Sequence, residues 1–452
     1  MNLPQSFINQ ITPILGNETA DFLEALQTES PVSIRLNNKI ETTEKERVKW
    51  CETGFYLPER PLFTADPLFH AGAYYVQEAS SMFVEQAVCQ HFPKEPLRVL
   101  DLCAAPGGKS THLSSLLPEN SLLVSNEIIR SRAYILTENL VKWGNANVVA
   151  CNNAPQDFAG LYSFFDAVLV DAPCSGEGMF RKDETAIVEW SPENVRKCAE
   201  RQRDILLNVW LALKTGGILI YSTCTYNRQE NEENVQWIIR ELGAEFLPLK
   251  TEKEWGITVS DFGYRFYPHK TRGEGFFLAV LRKTADENER ACHCGLDPQS
   301  HRKRDKQKGI AGQARNDELK KLLKNPENWQ ISISENKITA LPKGRVEEIE
   351  FLQKKLKIMH AGIPLAEQKG KDFIPETALA LSKNIDLEKV NAFEIDLQTA
   401  LRFLQKESIE ILQAPKGYVL LTYKNTPVGW VKNLGNRANN LYPAEWRIRM
   451  KL

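Results

Sequence analysis

Between residues 76 and 283, short apolar runs recur with polar, helix-periodic segments between them, and this alternation constrains the fold more than any other feature. Runs of strand length lie at 97–102, 122–125, 147–151, 165–170 and 217–221, and helical patterns at 110–117, 130–143 and 191–213 separate them. Strands apolar on both faces and joined by helices form a parallel sheet covered on both sides. The expected core is α/β, a mostly parallel, doubly wound sheet over 76–283. No run approaches the roughly 20 apolar residues of a membrane-crossing helix. The first residues lack the basic and apolar regions of a signal peptide. A cytoplasmic location is expected, and a membrane partner is not.

The flanks differ in texture. Residues 1–75 combine a helical pattern over 7–26, a strand-like piece at 32–36, and a stretch punctuated by Pro58, Pro61 and Pro67. They read as a small α+β extension. In 284–325, Arg302, Lys303, Arg304, Lys306 and Lys308 crowd around Asp305 without apolar periodicity. That composition is expected of a disordered basic linker or insertion rather than an RNA-contacting arm. Its Cys292, His293, Cys294 and His301 do not match a structural zinc spacing, so no metal is expected. Residues 326–452 read as a separate small β-rich unit, with a helix over 346–359 and a strand pair at 418–423 and 427–432. The tail from Trp446 alternates apolar and basic residues, the pattern of an exposed strand.

The net charge of -1, from 57 basic and 58 acidic residues, excludes a globally basic nucleic-acid coat. Any RNA contact must come from a local patch. Nine cysteines are too sparse for a disulfide scaffold, and reduced thiols are expected.

The first apolar run ends at Asp101 and passes through Cys103-Ala104-Ala105-Pro106-Gly107-Gly108-Lys109 into a helix whose N-cap is expected at Ser110. A strand, a glycine turn and a helix let a ligand approach the backbone closely. The turn is neither GxGxxG nor a P-loop, so no pyrophosphate is indicated. The second run leads to Glu127, an acid placed to accept the ribose hydroxyls of a nucleoside cofactor. The fourth delivers Asp171-Ala-Pro-Cys174, and the fifth Thr223-Cys224, to the sheet edge where open α/β folds bind ligands. Two cysteines and an aspartate thus converge there, and either thiol is a candidate nucleophile.

The segments DLCAAPGGKSTHL (101–113), FDAVLVDAPCSG (165–176) and YSTCTYNRQENEENV (221–235), with QEASSM (77–82), resemble the Sun/Nop family of RNA cytosine-5 methyltransferases across roughly 30–283. GYVLLTYKNTPVGWVKNLGNRANNLYP (417–443) is similar to the PUA-like module of the bacterial RsmF-like branch, which methylates small-subunit ribosomal RNA. The resemblance implies a Rossmann-like methyltransferase fold, S-adenosylmethionine (SAM) as cofactor, RNA rather than DNA as partner, and an RNA-binding N-terminal extension. It makes Cys224 the nucleophile and Cys174 the residue assisting release, with Asp171 on the cytosine edge close to the cofactor. Glu127 then binds the ribose, and residues 103–109 the methionine part, with Lys109 as counter-charge. Arg181 and Lys182 fall where phosphates near a flipped base are held. Lys432, Arg437, Arg447 and Arg449, with Trp430 and Trp446 interleaved, fit backbone contact and base stacking.

One position departs from the family. Where an aspartate usually reads the adenine amino group, this chain has Ala154, with Asn153 and Asp157 nearby as substitutes. Losing such a hydrogen bond costs about 1 kcal/mol. Ala154 alone favours a rival reading, an impaired RNA-binding or assembly factor that keeps the fold. The same chemistry on transfer RNA is a second alternative. An amino-group methyltransferase is disfavoured because Asp171-Ala-Pro-Cys174 stands where such enzymes carry an Asn/Asp-Pro-Pro-Tyr/Phe loop.

Overall fold

The computed structural model describes residues 2–37, 46–284 and 318–450. Most of the expected basic linker, including Cys292, His293, Cys294 and His301, lies outside the described residues. Its last residues are not linker: Leu323 is buried and bridged to Ile385.

Two helices, Gln5–Leu15 and Thr19–Ala25, open the chain. One helix was expected over 7–26, but Gly16 at φ 56° interrupts it, a conformation that costs glycine little. An antiparallel sheet follows, with β1 (Val32–Leu36) between β2 (Gly54–Leu57) and β3 (Tyr74–Val76).

The central sheet is the expected one. Its parallel strands are β4 (Arg98–Asp101), β5 (Leu122–Asn126), β6 (Val148–Cys151), β7 (Phe165–Asp171) and β8 (Leu213–Thr223), in the order β8-β7-β4-β5-β6. Helices Gly108–Leu116, Arg130–Trp143 and Pro192–Trp210 connect them. Neighbouring residues feed opposite cores, which explains the unbroken apolar runs. Leu123, Leu169, Ile220 and Leu278 face one core, and Val124, Val168, Leu219 and Phe277 the other. Beyond β8 the sheet continues antiparallel through β9 (Ala244–Phe246), β10 (Thr258–Ser260), β11 (Gly263–Phe266) and β12 (Phe276–Lys283). Strand order reverses between β4 and β7, and a crevice opens at the carboxyl ends there.

The C-terminal region is β-rich and also lends one strand to the central sheet. It builds one four-stranded sheet from β13 (Trp329–Ser334), β14 (Lys337–Pro342), β16 (Ile363–Lys369) and β17 (Asp372–Pro375). A second contains β18 (Ala392–Glu394), β19 (Gly417–Tyr423), β20 (Thr426–Asn433) and β21 (Ala438–Asn440). Between them β15 (Ile358–Ala361) pairs antiparallel with β6, placing Ile358 opposite Cys151 and Ala361 opposite Val149. That pairing explains why the helix expected over 346–359 ends at Lys355. Residues 446–450 form no strand: Ile448 is buried and its N–H donates to the Leu404 carbonyl at 3.0 Å. Among the described residues, no helix is long and apolar enough to cross a membrane.

Candidate active site

β7 and β8 run side by side with Asp171 opposite Ser222. Loops leaving two adjacent strands at one level meet at once. Cys174 Sγ lies 2.9 Å from Cys224 Sγ, and the Cys224 N–H donates to the Cys174 sulfur at 3.3 Å. The hydrogen bond to Cys224 and burial together hold the Cys174 thiol well above the usual range. Asp171 Oδ1 accepts from Ser222 Oγ (2.7 Å), and Oδ2 pairs with Lys109 Nζ (2.7 Å). Burial pulls Lys109 towards the neutral amine, but Asp171 outweighs it and the net shift is upward. Lys109, expected as a counter-charge at the methionine part, is paired with Asp171 here and orients it.

The loop after Cys174 is held by a buried carboxylate that no sequence pattern singles out. Glu177 accepts from the backbone N–H groups of Tyr226 (2.8 Å) and Asn227 (2.9 Å), and from Asn227 Nδ2, Trp190 Nε1 and Gln10 Nε2. The Gly178 N–H donates to the Cys224 carbonyl at 2.8 Å, tying one cysteine loop to the other.

Two cavities meet at this pair. One, of about 560 Å³, lies along Glu127, Ile128, Pro155, Ile205, Asp171 and Cys224. The other, of about 490 Å³, is lined by Gln77, Asp101, Lys109, Asp171, Cys224 and Phe276. Cys103 and Ala105 line both, while Ala104, Pro106 and Gly108 border the second. Gly107, at φ 116°, is the helix N-cap, so Ser110 falls inside the first turn and its hydroxyl donates to Asp101 Oδ2 (2.6 Å). Sequence reasoning treated Asp101 only as a strand end. It is fully buried, its Oδ1 has no partner, and burial raises its carboxyl to about 7. An acid at the strand end that opens the glycine turn was the available signal.

The set fits SAM. Glu127 is buried just past the end of β5, with Oε1 accepting from the Ile129 N–H, which fixes its side chain beside the cavity. Ile128, Pro155 and Ile205 give an apolar slot for a base, and the orphaned Asp101 oxygen offers an acceptor for an ammonium group. Neither Asn153 nor Asp157, the nearby substitutes for the missing adenine reader, lines that cavity. Asp157 Oδ2 already accepts from Ala154 N and Asn153 Nδ2, and Asn153 Oδ1 accepts from the Lys357 N–H. Gln156, Asp204 and Asn208 line that cavity instead.

The turn is braced from the N-terminal sheet, another feature the sequence hid. Arg35 of β1 is fully buried over the Trp143 ring, donating to Gln77 Oε1 (2.8 Å) and Thr111 Oγ1 (2.6 Å).

The expected RNA contacts fare unevenly. Arg181 is not open to phosphate: its side chain is buried in a pair with Glu274 at 3.0 Å and donates to the Gly273 carbonyl. Lys182 lies 3.6 Å from Glu274 and borders the catalytic cavity. Lys432 pairs with Asp372 at 2.8 Å, and Arg437 is exposed. Trp430 cannot stack on a base, because it is buried and donates to the Glu376 carbonyl. Trp446 packs partly buried against Tyr442.

Three family models match the chain: the N-terminal domain of 16S rRNA methyltransferase RsmF over residues 3–79, 16S rRNA methyltransferase RsmB/F over 90–282, and the methyltransferase RsmF PUA domain over 390–448. The ribosomal RNA small subunit methyltransferase F of Escherichia coli O1:K1 / APEC is 33% identical over 477 residues, covering 98% of this chain and 96% of the relative. Its counterpart from Shigella dysenteriae serotype 1 (strain Sd197) is 33% identical over 478 residues, with the same coverage. Among solved structures, a methyltransferase homologue from Pyrococcus horikoshii is 28% identical with a TM-score of 0.54, covering 62% of this chain and 95% of that one. NSun6 from the same organism shares the fold, at 22% identity and a TM-score of 0.53, over 63% of this chain and 99% of that one. Near full-length similarity, together with a cavity suited to SAM beside paired cysteines, places the chain in the RsmF family of SAM-dependent RNA cytosine-5 methyltransferases.

Proposed function

We propose that this enzyme methylates carbon 5 of a cytosine in small-subunit ribosomal RNA through a covalent bond between Cys224 and carbon 6. The observation that carries the reading is the Cys174–Cys224 pair beside Asp171, at the junction of the two cavities. Carbon 5 of cytosine is a poor nucleophile until a thiolate adds to carbon 6 and makes the ring an enamine. Cys224 forms that bond, and Asp171, fixed by Lys109 and Ser222, holds the cytosine edge. When bound, SAM would supply an electrophilic methyl group to carbon 5, with S-adenosylhomocysteine as the leaving group.

Release requires loss of the carbon 5 proton and cleavage of the bond from sulfur to carbon 6. Cys174, whose sulfur lies 2.9 Å from that of Cys224, assists this cleavage. Arg35 and the 103–109 turn position the cofactor side, and Glu127 holds the ribose. The chemistry needs a free thiol, which fits a reducing cytoplasm.

The test is methyl transfer from labelled SAM to small-subunit ribosomal RNA. Cys224→Ala is expected to lose activity by at least about a thousandfold. Cys174→Ala is expected to accumulate a denaturant-stable protein–RNA adduct. Full activity of Cys224→Ala would overturn the nucleophile, and absence of the adduct would remove the release role. Calorimetric SAM binding separates this enzyme from an impaired assembly factor.

A further inference from the structure

On the reading of the site as an RNA cytosine-5 methyltransferase, we infer that the groove between the N-terminal sheet and residues 268–273 holds the single-stranded RNA flanking the target base. The groove, of about 1000 Å³, runs along Glu29–Val32 and Leu57–Arg60 on one wall and Pro268–Gly273 on the other. It adjoins the catalytic cavity, and Lys182 lines both. That adjacency gives the polymer its path. A base drawn out of its stack enters the cavity beside Cys224 with its backbone still attached. The far side of the cavity opens onto the cofactor pocket, which also borders Asp171 and Cys224, so the backbone leaves on the Lys182 side.

The groove's charge suits a phosphate chain. Arg60, Lys182, Lys270 and Arg272 line it, against the acids Glu29 and Glu59. Arg60 is exposed, with its guanidinium 5.7 Å from the Phe63 ring centroid. Lys270 pairs with Glu18 at 2.6 Å and Arg272 with Glu46, and these cations keep 29% and 43% side-chain exposure. Exposed pairs of this kind are weak, so a phosphate can take the place of the carboxylate. The Arg272 guanidinium lies 4.5 Å from the Tyr56 ring centroid, which limits its freedom. The sequence pointed to Arg181 and Lys182, which both border this groove, and to the C-terminal module, but to none of Arg60, Lys270 and Arg272. No local pattern shows the groove, because its walls come from segments more than 200 residues apart.

The experiment measures binding of the full chain to a short single-stranded oligocytidylate across a salt series, beside steady-state methylation of small-subunit ribosomal RNA. Replacing Arg60, Lys270 and Arg272 together by alanine is expected to weaken oligonucleotide binding at least about tenfold. The slope of log affinity against log salt should fall by about 2, at roughly 0.7 per phosphate contact on a single strand. KM for RNA should rise while SAM affinity stays the same. Arg60→Glu alone, which breaks no ion pair among the described residues, is expected to raise KM for RNA at least about threefold and guards against loss of fold in the triple variant. Unchanged affinity and slope in a folded triple variant, or an unchanged KM in Arg60→Glu, overturns the groove assignment. A wild-type protein that binds the oligonucleotide with this slope yet methylates no RNA overturns the cytosine-5 reading and leaves the groove standing.

Discussion

His112 shows how a single side chain can set the conditions under which the whole fold survives. It lies on the helix after the glycine turn, 1% exposed, with Nε2 2.9 Å from Glu85 Oε2 and 3.8 Å from Cys51 Sγ. Glu85 Oε1 also accepts the Glu52 N–H at 2.8 Å, so this buried trio fastens the segment before β2 to the methyltransferase core. Burial, reinforced by the Arg35 cation, lowers His112 to about 4. In the unfolded chain the ring takes up its proton near pH 6.5. Between these values the unfolded state binds more protons, so stability is present above pH 6.5 and is lost as pH falls towards 4. The loss through this residue is about 1.4 kcal/mol per pH unit. Urea unfolding at pH 7 and pH 5 checks it: wild type should lose stability over that interval by more than His112→Gln does. Equal losses would show that the ring titrates normally.

The site was legible in the sequence at strand ends and illegible wherever elements cross. Asp171, Cys174 and Cys224 stand out because each follows a strand-length apolar run, and such strands deliver their loops to one edge. Their contact depends on β7 neighbouring β8 with Asp171 opposite Ser222, a pairing no local pattern encodes. Ser110 looked like an N-cap by residue type, but Gly107 takes the left-handed position and frees the hydroxyl to reach Asp101. Arg181, Trp430 and Glu177 were misjudged or overlooked for one reason. Charge and aromaticity signal surface contact, yet partners distant in sequence buried all three: Glu274, Glu376, and Tyr226 with Asn227. Gly178 shows how tight such a crossing is. A Cβ there would sit 2.5 Å from the Gly275 carbonyl oxygen and 2.9 Å from that of Cys224, and neither backbone can yield without moving its loop. Gly178→Ala is expected to lower kcat at least about tenfold, the cost of displacing the nucleophile by a fraction of an ångström. SAM affinity should stay within about twofold, because Glu127 and the 103–109 turn lie on other elements. Steady-state kinetics with calorimetric SAM binding check the split, and an unchanged kcat would mean the loops absorb the methyl group.

At the scale of the whole chain, the C-terminal region touches the methyltransferase core beside the cofactor cavity. β15 extends the parallel sheet past β6, and Lys357 forms the seam: its carbonyl accepts the Asn152 N–H, and its own N–H donates to Asn153 Oδ1. Asn153 is in turn locked to Asn126, the residue before Glu127, by bonds in both directions, from Asn126 Nδ2 to its carbonyl and from its N–H to Asn126 Oδ1. A ligand that fixes Glu127 therefore steadies Asn126, Asn153 and the first residues of β15 through consecutive hydrogen bonds. Binding to the native state alone stabilises it by about 2.7 kcal/mol at a hundredfold excess over Kd, and local openings that break the pocket are suppressed by the same factor. Exchange of backbone amides across 357–361 should slow on SAM addition along with those of β5 and β6. The β18–β21 sheet, which shares no strand with the central sheet, should exchange at an unchanged rate. Asn153→Ala cuts the link while leaving the β6–β15 pairing in place, so in that variant the protection of 357–361 should fall away while SAM still protects β5. Hydrogen exchange read by mass spectrometry tests both halves. Protection of 357–361 that survives Asn153→Ala would mean that coupling runs through the strand pairing itself.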